Sequence, residues 1–308
     1  MKEFSVQEFI EKINIIKEHT YDTCEQEVTK MAMDLYLKYP CYKDWIPFLH
    51  GNSIGNYMRN PKQKHREGYR GNGKYIGAYL LKENKGDKVL TADILTSKSV
   101  PIKLCKRRLT KEQLDECECY FNVFEIVYYW CGNMIPVICS FSPGRGDSSA
   151  LDNWKVKLNL IYELTKKLSI SENEDKHYKT FLNGEGKCHK QNQLWPGWIY
   201  YQWNNDLDDF ISKNYLQDYI QNGFTKTILA DIDDLDFMNI INNTSSDLNL
   251  IKIWFIINTK LIVQRSYRIL FEVQENFNQE QTEFIKDVFR YIFCKAKIPE
   301  EQRDFELI

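Results

Sequence analysis

The sequence predicts an α+β fold, predominantly helical, with a small antiparallel sheet. Three observations carry this. Two capping signatures, Ser5-Val6-Gln7-Glu8 and Thr110-Lys111-Glu112-Gln113, each stand ahead of a run with apolar residues at helical spacing. Two β-rich runs, 75–81 and 88–95, flank the turn-forming cluster Asn84-Lys85-Gly86-Asp87. Beyond residue 152, most of the chain repeats apolar side chains every three or four positions.

Taken in order, the first helix opens at the Ser5 box and places Phe9, Ile10, Ile13 and Ile16 on one face. Thr23-Cys24-Glu25-Gln26 opens a second helix, and Pro40 ends it. Residues 52–74 then change character, with four glycines, one proline and few aliphatic side chains. This reads as a long flexible loop. Its charge is one-sided, since Arg59, Lys62, Lys64, Arg66, Arg70 and Lys74 face only Glu67. The hairpin of 75–95 follows, then a basic segment over 103–111. The Thr110 box opens a helix that runs through Phe121, Phe124 and Val127 towards Gly132. A strand is expected near 133–140, at an edge or a bulge because Pro136 lacks an amide proton. A Gly- and Ser-rich loop, 142–149, leads into a helix beginning near Asp152, with Trp154, Leu158 and Ile161 on its apolar face. Further helices are expected over 173–182, 206–221, 248–274 and 279–296, with an aromatic segment at 194–203. No internal repeat or linker divides the chain, so 1–308 reads as a single domain.

Composition narrows the function classes. Hydrophobic residues make up 43% and aromatic residues 14%, which excludes wholesale disorder and implies a core built on large rings. The 41 basic and 43 acidic residues nearly cancel, so overall charge does not mark a nucleic-acid binder. The nine cysteines, at 24, 41, 105, 117, 119, 131, 139, 188 and 294, contain no CxxC pair, so a disulfide framework or zinc site is not expected. The first residues carry charges throughout, unlike a secretory leader. The most apolar window, 253–263, is too short for a membrane span and holds Lys260. The expectation is a reduced, cytoplasmic protein without membrane contact, cofactor or metal. His19, His50, His65, His177 and His189 fall in no metallohydrolase or deaminase pattern. The acidic runs around Asp206–Asp209 and Asp231–Asp236 lack an EF-hand spacing and suit helix starts. Trp195, Trp198, Tyr200, Tyr201 and Trp203 suit a core, or the wall of a ring-binding pocket.

The most informative stretch is Gly144-Arg145-Gly146-Asp147-Ser148. It contains the tripeptide that cell-surface integrins recognise, but an adhesion role needs export. Its physical content is different. The glycines let a ligand approach the backbone, amides near Ser148 precede a helix start, and Arg145 offers a planar donor fork for phosphate or carboxylate. Arg145, Gly146 and Ser148 are therefore the candidate anion contacts, with Arg59, Arg66 and Arg70 of the basic loop adding attraction. The rings interleaved in that loop, Tyr57, Tyr69 and Tyr75, suit single-stranded nucleic acid. Three readings stay open. The chain binds a nucleotide or nucleic-acid phosphate. It is a Mg-dependent phosphoesterase or nuclease-like effector using Asp93, Asp147 or Asp152. Or it is a structural or protein-interaction protein, with Arg145 in an internal ion pair with Asp147 or Asp152.

The hairpin and the Arg-Gly segment together resemble a family of bacterial proteins built around a domain of unknown function. The matching residues are Ala78-Tyr79-Leu80, Gly86, Leu90, Asp93-Ile94, Arg145-Gly146, Asp152-Asn153-Trp154 and Leu158-Asn159-Leu160-Ile161. The likeness covers about 75–161. It departs at Lys155, where the family has a second acid, and at Asn159, where it has Glu. The resemblance implies no activity. It implies that hairpin, strand, Arg-Gly loop and helix form one unit in a bacterial protein.

Overall fold

The computed structural model describes residues 4–13, 45–48, 78–81, 89–96, 99–138, 207–220 and 248–300. These are mostly helical. Helix α1 spans Val6–Ile13 and is closed by the expected box: the Ser5 amide donates to Glu8 Oε2 at 2.8 Å, and the Glu8 amide donates to Ser5 Oγ at 3.2 Å. Its apolar face buries Phe9, Ile10 and Ile13, as the spacing predicts. Helix α2 spans Ser99–Arg108 and α3 spans Lys111–Val127. Thr110 caps α3 with both halves of its box formed. Helix α4 spans Leu207–Lys213, α5 Leu248–Phe271 and α6 Gln279–Lys295.

Among the described residues, strand is confined to four short segments, β1 (Trp45–Phe48), β2 (Ala78–Leu81), β3 (Val89–Ile94) and β4 (Met134–Ile138). They pair antiparallel in sequence order, with Ile46 opposite Leu80, Tyr79 opposite Leu90, and Asp93 opposite Ile135. The two strands that contain a proline, β1 with Pro47 and β4 with Pro136, stand at the ends of this order. In the described sheet such a strand is paired on one side, which is where proline is tolerated.

Two expectations need correction. The 103–111 segment was expected only as a basic stretch, yet 99–108 is helical. Pro101 lies in its first turn, where amides have no intrahelical acceptor. The helix expected over 206–221 stops at Lys213. Asn214 turns its side chain back to the carbonyl of Phe210 at 2.9 Å, Tyr215 adopts a left-handed φ of 54°, and only a 3-10 turn, Gln217–Tyr219, follows. The expected helices near 23–40, from 152 and over 173–182, the flexible loop of 52–74 and the aromatic segment of 194–203 lie outside the described residues.

Helix α5 is the centre of the core. It is apolar on nearly every side, and Ile251, Trp254, Phe255, Leu261, Ile262 and Ile269 are all buried. It packs along α3, where Phe121 and Phe124 meet Phe255 edge-on at 4.8 and 5.7 Å between centroids. Phe9 of α1 is inserted among Trp130, Tyr267, Phe271 and Phe284 at 5.6–6.3 Å. Helix α6 starts at a full capping box, with the Gln281 amide donating to Asn278 Oδ1 and the Asn278 amide donating to Gln281 Oε1, both at 2.9 Å. Asn278→Ala is expected to lower stability by about 1 kcal/mol with no change in the denaturant slope, measured by urea unfolding.

Candidate functional site

Two places in the described structure gather polar side chains. The first is a buried junction where the end of α3, the start of β4, the turn after α4 and the middle of α5 meet. The chain leaves α3 through a 3-10 turn, Cys131–Asn133, whose backbone lies directly on α5. A Cβ on Gly132 would overlap the carbonyl oxygen of Ile262 and the hydroxyl of Ser266. Only glycine permits this approach. The Gly132 amide donates to Ser266 Oγ at 3.0 Å, and that hydroxyl donates to the Ile262 carbonyl at 2.7 Å.

Beside it, Asn133 stitches two segments together. Its Nδ2 donates to the carbonyls of Tyr128 (2.8 Å) and Thr96 (3.2 Å), and its Oδ1 accepts from the Thr96 amide at 2.9 Å. The Thr96 hydroxyl donates to Asn258 Oδ1 on α5 at 3.3 Å. Arg265, fully buried, completes the junction. Its Nη1 donates to the carbonyls of Gly132 and Met134 at 2.7 and 2.6 Å, and its Nε donates to the carbonyl of Asn214 at 3.0 Å. Burial pushes the guanidinium pKa down, and these carbonyls oppose that by solvating the cation.

Arg268, one turn on, is also committed. Its Nε and Nη2 hold Asp218 in a two-point pair at 2.5 and 2.8 Å, its Nη1 donates to the Glu275 carbonyl at 2.5 Å, and its plane lies 3.9 Å from the Phe277 ring centroid. It thereby binds the end of α5, where Glu272 has a φ of 57°, to the turn after α4. Both buried guanidiniums therefore hold the fold together.

The second place is an open groove of roughly 600 Å³ between α3 and the end of α6. From α3 come Asp115, Glu118, Cys119, Asn122, Glu125 and Ile126, and from the end of α6 and just beyond it Lys295 and Lys297. Three carboxylates against two ammonium groups give it a slight acidic balance. Among the described residues, no group of three or more His, Cys, Asp or Glu side chains is placed to hold a metal ion.

Four of the described thiols, Cys105, Cys117, Cys119 and Cys131, are set against nucleophilic work. Burial pushes Cys105 from the ordinary 9.0 to about 12, Cys131 to about 12 and Cys117 to about 11, and it raises Cys119 as well. A thiol whose folded pKa is raised holds its proton more tightly folded than unfolded. The stability this confers is complete below pH 9 and is lost as pH rises from about 9 towards 12. The Tyr120 phenol, moved by burial from 10.0 to about 12, acts in the same direction. Melting temperature is therefore expected to fall steadily above pH 9. Replacing Cys105 and Cys131 together by Ala or Val should flatten that fall, and an unchanged slope would remove these thiols from the account.

Of the residues singled out by sequence, Arg145, Gly146, Ser148, Asp147, Asp152, Arg59, Arg66 and Arg70 lie outside the described residues. Asp93 is placed through its backbone on β3, opposite Ile135. The sequence reading missed the junction residues Thr96, Gly132, Asn133, Asn258 and Arg265. One signal was available, the arginines at 265 and 268 within a long apolar helix, since such residues are seldom fully buried without partners. The acidic face at Asp115, Glu118 and Glu125 was also readable, from spacings of three and seven within a capped helix. Compared with known proteins, the chain matches no family model, no curated protein and no solved structure. Among the described residues, no helix is long and apolar enough to cross a membrane.

Proposed function

We propose that the chain binds an anionic ligand, a nucleotide or a nucleic-acid phosphate, at the Arg-Gly segment that follows β4. Arg145 is the anchor, the backbone around Gly146 and Ser148 supplies amide donors, and Arg59, Arg66 and Arg70 add long-range attraction. The observation that carries this reading is the residue set itself: an arginine between two glycines, followed by Asp147, Ser148, Ser149 and the start of an amphipathic run. Two features of the described structure support it. The buried guanidiniums of Arg265 and Arg268 are bound to internal acceptors, and the groove beside α3 has an acidic balance, so neither competes for an anion. Ile138 stands opposite Leu90, so the chain leaves β4 in the direction in which β2 ends, whereas the 49–77 connection begins and ends at the other end of the ladder. In this reading Arg145 is the contact and the basic loop an attractor. With it goes the reading of hairpin, β4, Arg-Gly segment and following helix as one unit of a bacterial protein, as the family resemblance implies, and the expectation from the cysteine pattern that this protein is cytoplasmic.

The test is a melting scan of parent and Arg145→Ala, with and without a mixture of nucleoside triphosphates and a single-stranded oligonucleotide. The parent is expected to melt higher with the mixture. The variant should melt within a degree or two of the unliganded parent and lose the ligand response, because an exposed arginine contributes little to stability. The opposite pattern, a variant melting far below a parent that itself ignores the ligands, would make Arg145 an internal ion-pair member and end the proposal.

A further inference from the structure

We draw no further inference here: the strongest candidate, the open groove between α3 and the end of α6 lined by Asp115, Glu118, Glu125, Lys295 and Lys297, is a cluster of charges at a helix face, and nothing in the structure shows what covers it.

Discussion

Gly132→Ala is expected to destabilise the protein by roughly 4 kcal/mol or more, a large share of the stability of an ordinary domain. The added methyl would enter the space of the Ile262 carbonyl and the Ser266 hydroxyl and come within 2.7 Å of the Ser266 amide nitrogen. Two of those three atoms belong to the backbone of α5, and the Ser266 hydroxyl is held by its own bond to Ile262. Relief therefore requires the whole 131–134 turn to lift off the helix. Lifting it would also remove the acceptors of Arg265 and the Gly132–Ser266 bond. The double variant Gly132→Ala, Ser266→Ala separates the two sources. It removes one obstacle but keeps the carbonyl collision, so only a small part of the loss should return. Chemical denaturation of the three proteins reads this directly. A single-variant loss under about 1.5 kcal/mol would mean that the turn rides clear of α5, and the described junction would be wrong.

Much of the helical framework is legible locally. Ser5 with Glu8, Thr110 with Gln113, and the apolar run of 248–271 each carry their signal within a few residues, because capping and helical periodicity are short-range effects. What escapes a sequence reading depends on partners far apart in the chain. Gly132 meets Ser266 across 134 positions, and Thr96 meets Asn258 across 162. Nothing near Gly132 announces that its missing side chain is required by another helix. The break after Lys213 escaped for a related reason. Asn214 and Tyr215 have unexceptional propensities, and the left-handed turn there is held by Arg265 reaching the Asn214 carbonyl from 51 positions away. The helix over 99–108 went unread because its basic run carries no clear apolar periodicity, and its Pro101 sits in the first turn, where a proline is tolerated. For the candidate site the sequence supplies residue chemistry, in Arg145 and its glycines, which lie outside the described residues.

The second large effect is expected at Arg265, and comparing three substitutions there identifies its source. Arg265→Ala should cost about 4–5 kcal/mol. It leaves the carbonyls of Asn214, Gly132 and Met134 without this donor, at about 1–3 kcal/mol for each buried group, and it opens a cavity where the stem lay. Arg265→Met keeps much of the stem volume and removes the cost of burying a cation, but the carbonyls still lack this donor, so it should recover roughly 1–2 kcal/mol of that loss. Arg265→Lys keeps the charge but concentrates its donors at one nitrogen, which cannot serve Asn214 on one side and Gly132 with Met134 on the other. It is expected to fall no better than Met. The order Lys or Met above Ala, all well below the parent, would identify the three-carbonyl clamp as what matters. Near-parental stability of Arg265→Met would assign the effect to volume alone. Hydrogen exchange offers a second readout that volume loss does not move in the same way. The Leu95 amide is bonded to the Asn133 carbonyl at 2.8 Å, next to the clamped turn, and should lose protection in Arg265→Met at temperatures where α3 remains protected. If Leu95 and α3 lose protection together, the junction has no stability of its own and Arg265 contributes only to the global fold.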